Sequence, residues 1–555
     1  MSYTDSNLFS TGFDYVVAVT QDSINGALKE TLYAGQPEVI LCYAYDNSNP
    51  PALVPIDHAA LVTAAQGADP FAVPAGTAGT DPRVQNLNNA GFAFAVKAQL
   101  GLPPGVPPAD LPPIIALKPG QSNVTYTVTF AELAVAEIVY GPRGSVTWFS
   151  DSQPSGTGWT FSGTVDLDFQ DASFAALSQA AQARLKGLGP NPAIFTIQQL
   201  YYDLNNSNLI QGFQFDGMPA TSLLGGFMAD NFIGTYFKNL NGAELLGYAA
   251  KQATGVTPGS LWVTDVNFFT PNAVGATGAP LTLNYLCAAG GDALPDTTHA
   301  GFGWNWIEAK EEFDGVAALN RMTLGKYLRS AILPSGGTLD SYVSSNCYQP
   351  SVSCTLNQLS QVQYGFSAAP GGSPTAAVLP GGLELITYSY TADASDQAGA
   401  GGDLGQIEIA PSFNLTVSVA GNQIIIAQRL AFFLRLKHLA TQVSGNVVDK
   451  TLVDTYSVGV DEDGQLAVAL ANSTTTDNSQ QLDVSGFLDF FTNVNEYASA
   501  VTQWAESLAS GHLKDLPLSL IGSFVFPGSA AFTFSGATFS AAGDLVSHIT
   551  YVSTL

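Results

Sequence analysis

The chain has 555 residues, with 11% charged, 46% hydrophobic and 55 glycines. Ordinary domains carry roughly 25% charged residues, so this chain buries much of itself or shows a sparingly charged surface. Its 45 acids against 18 lysines and arginines give a net charge of −27, which argues against nucleic acid as a partner and against electrostatic docking on anionic membranes.

The amino terminus, MSYTDSNLFSTGFDYVV, has an acid at Asp5 and no basic region. A conventional signal peptide is therefore not expected. The chain is expected to be made in the cytoplasm, with any release following a non-classical route. From Leu8 to Gly35, the residues Phe9, Phe13, Val16, Val17, Thr20, Ile24, Leu28 and Leu32 recur at helical spacing. That spacing predicts one long amphipathic helix, capped by Ser6 or Ser10 and stopped by Gly35 and Pro37.

PEVILCYAYD follows, and then a loop-rich stretch from about Asn47 to Pro119. Strands dominate after that. Val124, Tyr126, Val128 and Phe130 alternate with threonines, and Trp159, Phe161, Val165, Leu167 and Phe169 alternate with polar residues. Period two with one apolar set predicts half-buried antiparallel strands. Hairpins are predicted in SFNLTVSVAGNQIIIAQ, turning at Gly421 and Asn422, and in TYSVGVDEDGQLAVAL, turning at Asp463 and Gly464. Inner helices are predicted over Ala172 to Leu188, about Leu223 to Lys251 and Phe313 to Ser330. A second long helix closes the chain from Ser485 to Gly511, its stripe including Phe487, Phe491, Val494, Val501 and Trp504. The most apolar run, Ile424 to Lys437, is interrupted by Arg429 and Arg435, so no transmembrane segment is predicted.

Three segments, GFDYVVAVTQDSINGAL (Gly12 to Leu28), EFDGVAALNRMTLGKYL (Glu312 to Leu328) and FVFPGSAAFTFSGATFSAAGDLVSHITY (Phe524 to Tyr551), resemble the companion proteins of clostridial neurotoxin clusters, in the tubular lipid-binding (TULIP) superfamily. The matching positions are Gly12, Asp14, Val17, Ala18 and Asn25 at the start, the Asp-Gly pair in the middle, and Phe526-Pro527-Gly528 and Gly543-Asp544-Leu545 at the end. The resemblance implies an elongated α+β, TULIP-like architecture in which long amphipathic helices are cradled by highly curved antiparallel sheets. The layout is read as two halves: 1–220 with 485–555, including both terminal helices, and 221–484. The chain departs from that family in being rich in Ala, Gly and Thr with few lysines, and in its Pro-rich stretch between Asn47 and Pro119.

No catalytic constellation emerges. The five histidines, His58, His299, His438, His512 and His548, are scattered without metal-ligand spacing, and GxSxG and P-loop patterns are missing. Neither a metal nor a cofactor is expected. Asp461, Glu462, Asp463 and Gly464 lack the EF-hand spacing and read as a solvated turn. Asp166 and Asp168 share a strand face and read as solvated polar residues rather than an acid/base pair. Trp304 and Trp306 read as core or subunit packing, with a carbohydrate or membrane-surface platform as the other reading. Cys42 and Cys287 read as buried thiols, whereas Cys347 and Cys354 lie near enough in sequence to pair.

The function expected is non-enzymatic binding of a lipid or other hydrophobic small molecule, with protein partners in a toxin complex implied by the resemblance. The ligand would lie along Phe9, Phe13, Val17, Phe491, Val494, Val501 and Trp504. The alternative is a structural or assembly protein whose halves are completely filled.

Overall fold

A computed structural model describes residues 2–33, 35–172, 195–202, 214–216, 245–252, 258–272, 278–297, 301–330, 337–379, 381–482, 524–525 and 531–552, together with positions 182, 226–228, 232, 236, 255, 256 and 274. In chain order, β1 (Tyr15–Thr20) runs into α1 (Gln21–Tyr33), followed by β2 (Val39–Tyr45), β3 (Leu53–Ile56), α2 (His58–Ala64), α3 (Pro82–Asn89), β4 (Phe92–Leu100), β5 (Ile115–Leu117), β6 (Asn123–Tyr140), β7 (Val146–Ser152) and β8 (Thr160–Ala172). Next come β9 (Phe195–Tyr202), β10 (Gln214–Asp216), β11 (Leu245–Gln252), β12 (Val263–Phe269), β13 (Thr282–Ala289), β14 (Gly315–Leu319), α4 (Arg321–Ser330) and α5 (Leu339–Ser345). The remaining strands are β15 (Tyr348–Leu356), β16 (Val362–Pro370), β17 (Thr375–Val378), β18 (Glu384–Thr391), β19 (Ala394–Ala398), β20 (Gly405–Ala420), β21 (Gln423–His438), β22 (Thr441–Val460), β23 (Leu466–Asp477), β24 (Phe524–Val525), β25 (Ala531–Phe534), β26 (Thr538–Phe539) and β27 (Leu545–Val552).

The expected helix-cradled TULIP arrangement is overturned. The described residues form five α-helices, the longest of them 13 residues, among antiparallel sheets. The predicted helix from Leu8 to Gly35 is three elements: a 3-10 turn at Leu8–Ser10, the strand β1, and α1. Tyr15, Val17 and Val19 face one core cluster while Val16 and Ala18 face another, so β1 is buried on both sides and shows no alternation. Its β-branched valines suit a pleated surface better than a helix. Only from Thr20 onward does the helical spacing hold, with Ile24, Leu28 and Leu32 buried along α1. The same correction applies to Phe313 to Ser330, where β14 precedes α4, and to the end of the inner helix predicted as far as Lys251, where Leu245–Gln252 is a strand. The predicted helices over Ala172 to Leu188 and Ser485 to Gly511 lie almost entirely outside the described residues.

One seven-stranded sheet has the order β12-β13-β1-β14-β27-β25, with β26 on β27. The 11-stranded sheet runs β24-β11-β9-β8-β6-β4-β2-β3, with β5, β7 and β10 attached. A third sheet, β17-β18-β20-β21-β22-β23 with β19, contains strands of 16, 16 and 20 residues. In β20 and β21 the burial alternates as the sequence predicts, and their hairpin turns at Gly421, φ +60°, and Asn422. The run from Ile424 to Lys437 is thus part of a strand, and no described helix is long and apolar enough to cross a membrane.

One apolar cluster joins these three sheets and takes in Tyr348 of β15, which pairs with β16 in a fourth, two-stranded sheet. It extends from Val17, Phe94 and Phe161 to Phe413, Phe432 and Val468. A satellite core lies on the other face of the 11-stranded sheet, where Leu61 of α2 and Val84 and Leu87 of α3 cover Phe92, Ile138 and Trp148. All four cysteines are free and buried, including Cys347 and Cys354.

Candidate functional site

The three segments that carry the resemblance meet in space. β1 pairs with β14 and β14 with β27, so the start, middle and end of the chain form adjacent antiparallel strands. Across the first of these ladders the two strand–helix units are related by an approximate two-fold axis. Tyr15 faces Leu319 and Val19 faces Gly315, which places the axis between Val17 and Ala317. Residues of one unit correspond to those 300 later in the other: 14 to 314, 20 to 320 and 23 to 323.

The polar contacts follow the same axis. Thr20 N–H donates to the Asp314 carbonyl at 2.8 Å, and Asn320 N–H donates to the Asp14 carbonyl at 2.8 Å. Ser23 Oγ donates to Asp314 Oδ1 at 2.6 Å, and the Thr323 hydroxyl donates to Asp14 Oδ1. Thr20 caps α1 through Ser23 N–H at 3.2 Å, and Asn320 caps α4 through Met322 N–H at 2.8 Å. Each unit therefore uses an aspartate before its strand to fix the first turn of the other unit's helix, where backbone N–H groups lack helical partners. Gly315 lets the strands approach closely, since a Cβ there would sit 2.2 Å from the Ala18 carbonyl oxygen.

A second acid extends the junction. Asp544, fully buried, accepts from Ser6 Oγ at 2.8 Å, Leu8 N–H at 2.7 Å and Arg321 N–H at 3.1 Å. The buried Arg321 side chain donates to the carbonyls of Leu379, Ala542 and Glu384. The two termini, α4 and the third sheet are thereby tied at one point. Burial pushes the Asp544 carboxyl above its ordinary range despite the Leu8, Ser6 and Arg321 donors. It does the same to Asp14 against the Thr323 and Ala289 donors, Ala289 N–H reaching Oδ2 at 2.8 Å. With these oxygens engaged by backbone and hydroxyl donors, the junction holds chain segments together.

Asn25 makes a comparable internal bond. Its Oδ1 accepts from Ile115 N–H and its Nδ2 donates to the Ile115 carbonyl, both at 2.8 Å, so a helix side chain completes the edge of β5. Sequence reasoning singled out Asp14, Asn25 and Asp544 only as matching positions. It missed Asn320, Arg321 and Thr323, although the offset of 300 between the two strand–helix segments was a readable signal.

Of the expected lining residues, Phe9 sits 46% exposed in the Leu8–Ser10 turn. Phe13 is buried against Phe302, ring centroids 6.5 Å apart, and Val17 lies wholly inside the main cluster. Phe491, Val494, Val501 and Trp504 fall outside the described residues. Trp304 and Trp306 are buried together with Phe302, their rings 5.5 Å apart, so they form core packing and no surface platform. Asp168 is exposed on β8, and Asp461 Oδ1 accepts from the N–H groups of Asp463 and Gln465, as a solvated turn requires.

No family model matches the chain, and no curated protein matches it. Solved structures similar to it include P47 of Clostridium botulinum E1, at 10% identity and a TM-score of 0.39, covering 98% of this chain and 99% of that one. A lipopolysaccharide binding protein aligns at 9% identity and a TM-score of 0.28, over 98% of this chain and 100% of its own. Scores this low leave the fold to be described from this chain's own sheets.

Proposed function

We propose that this protein works by binding rather than by catalysis, holding a lipid or other hydrophobic small molecule against the apolar interior that its sheets share. The observation that carries this reading is the continuity of that interior, from Val17, Phe94 and Phe161 to Phe413, Phe432 and Val468. Each CH₂ of an aliphatic ligand moved out of water into such surroundings contributes about 0.8 kcal/mol. An accessory role in a toxin complex rests on the resemblance of the three segments alone. Native mass spectrometry, paired with organic extraction of the purified protein, tests the reading. A co-purifying lipid is expected, and its absence from both measurements counts against it.

One observation favours a second reading, an assembly protein without a ligand. Phe13 and Val17, expected beside a cavity, are closely packed against protein. On that reading the interior is filled and the sparingly charged surface serves subunit contact.

A further inference from the structure

A polar cleft lies on the outer side of the satellite core, far in character from the apolar interior. It has a volume of about 590 Å³, is open to solvent, and is lined by Tyr45, Asp46, Asn47, Asn88 and Asn89, with Gly91 among its walls. That volume falls within the range of roughly 300 to 1,000 Å³ typical of small-molecule sites.

The cleft is formed by the end of β2 and the turn that follows α3. Tyr45 N–H donates to the Gly91 carbonyl at 2.8 Å. Gly91 has φ +75°, and a Cβ there would lie 2.7 Å from the Tyr45 carbonyl oxygen, so the close approach requires glycine. In the loop that follows β2, Asp46 Oδ1 accepts from Ser48 N–H at 3.0 Å and Ala52 N–H at 2.8 Å, which fixes the loop. Beside the cleft, Tyr140 is 49% exposed and donates its hydroxyl to Asn88 Oδ1 at 2.9 Å.

These contacts leave a defined set of groups for a ligand. With its oxygen engaged by Tyr140, Asn88 presents its amide N–H donors, Asn47 and Asn89 present whole carboxamides, and Asp46 presents its second oxygen as an acceptor. The full charge in the lining is that one carboxylate, which repels anions. A hydrophobic ligand would leave the amides unsatisfied. A neutral molecule with neighbouring hydroxyls, each donor and acceptor at once, satisfies both kinds of group.

We infer that the cleft between Asp46 and Asn88 is a binding site for a neutral oligosaccharide of a few rings. The site is independent of the hydrophobic-ligand reading and stands if that reading fails. Saturation-transfer NMR and calorimetry on the full chain, with maltotriose, cellotriose, mannotriose and N-acetylated chitotriose as probes, test it. At least one of the four binds at millimolar concentration. Asp46→Asn, which keeps the loop-holding oxygen, and Asn89→Ala, at an exposed position, each weaken that binding by about tenfold or more with the thermal midpoint unchanged. Inorganic phosphate gives no signal. Binding of none of the four saccharides, binding unaffected by both substitutions, or binding of phosphate in their place overturns the inference.

Discussion

Asp14 accepts the Thr323 hydroxyl across the β1–β14 ladder, and the mirrored contact, Ser23 to Asp314, lies on the other side of the same two-fold axis. Two strand–helix units separated by most of the chain are thus locked by each other's aspartates. The arrangement explains why segments so distant in sequence carry similar residues at equal offsets.

The lock predicts energetic coupling. Thr323→Val leaves Asp14 Oδ1 buried without that donor and is expected to destabilise the protein by about 1 to 3 kcal/mol. In a double-mutant cycle with Asp14→Asn, measured by urea unfolding, the two losses should fall short of additivity by about 0.5 kcal/mol or more. Additive losses would show that the contact does not carry the stability.

The buried acids also set a pH dependence. Burial raises the native pKa of Asp14 and Asp544 above their ordinary values, so the native state holds these protons more tightly than the unfolded chain does. Their contribution is then fully present below about pH 3.9 and is lost as pH rises through the raised native values. Asp14→Asn and Asp544→Asn remove the titration. The thermal midpoint of each variant should therefore fall further below wild type at mildly acidic pH than at neutral pH. A gap that widens as pH rises would contradict the raised values.

Close packing at the axis predicts intolerance of small additions. Gly315→Ala would drive a methyl group into the Ala18 carbonyl and to 3.0 Å from Ile549 Cδ1, with an expected loss of about 1 to 3 kcal/mol from overpacking. Trp306→Ala, which empties a space beside Phe302 and Trp304, should cost about 3 to 5 kcal/mol. Chemical denaturation of both variants checks these values, and a midpoint equal to wild type for either would reject its packing assignment.

Much of the β-structure was legible because one-sided burial prints a period of two on the sequence. The β20–β21 hairpin is the clearest case, with its apolar positions and its Gly421-Asn422 turn both visible. Strands buried on both faces leave no such print. In β1 and β14 every residue is buried, so each reads as an apolar run. Each also continues into a helix whose stripe extends the run at compatible spacing, and strand plus helix then mimic one long helix. Thr20 and Asn320, the true caps, stood inside that mistaken span. The polar cleft was illegible for another reason: the stretch after Asp46 reads as loop-rich although it folds into β3, α2, α3, β4 and β5, and only the approach of Gly91, just after α3, to Tyr45 brings Asp46 and Asn88 together.

The central claim is that the shared apolar interior takes up a hydrophobic molecule, and a fluorescent fatty acid titrated into delipidated protein tests it most directly. Wild type is compared with Val17→Trp, which crowds the interior at the two-fold axis at a cost of about 1 to 3 kcal/mol; circular dichroism verifies that the variant is folded. Saturable binding by wild type, weakened by about tenfold in the variant, is the predicted result. No binding by wild type, with no lipid in its organic extract, would contradict the claim and leave the filled assembly protein in its place.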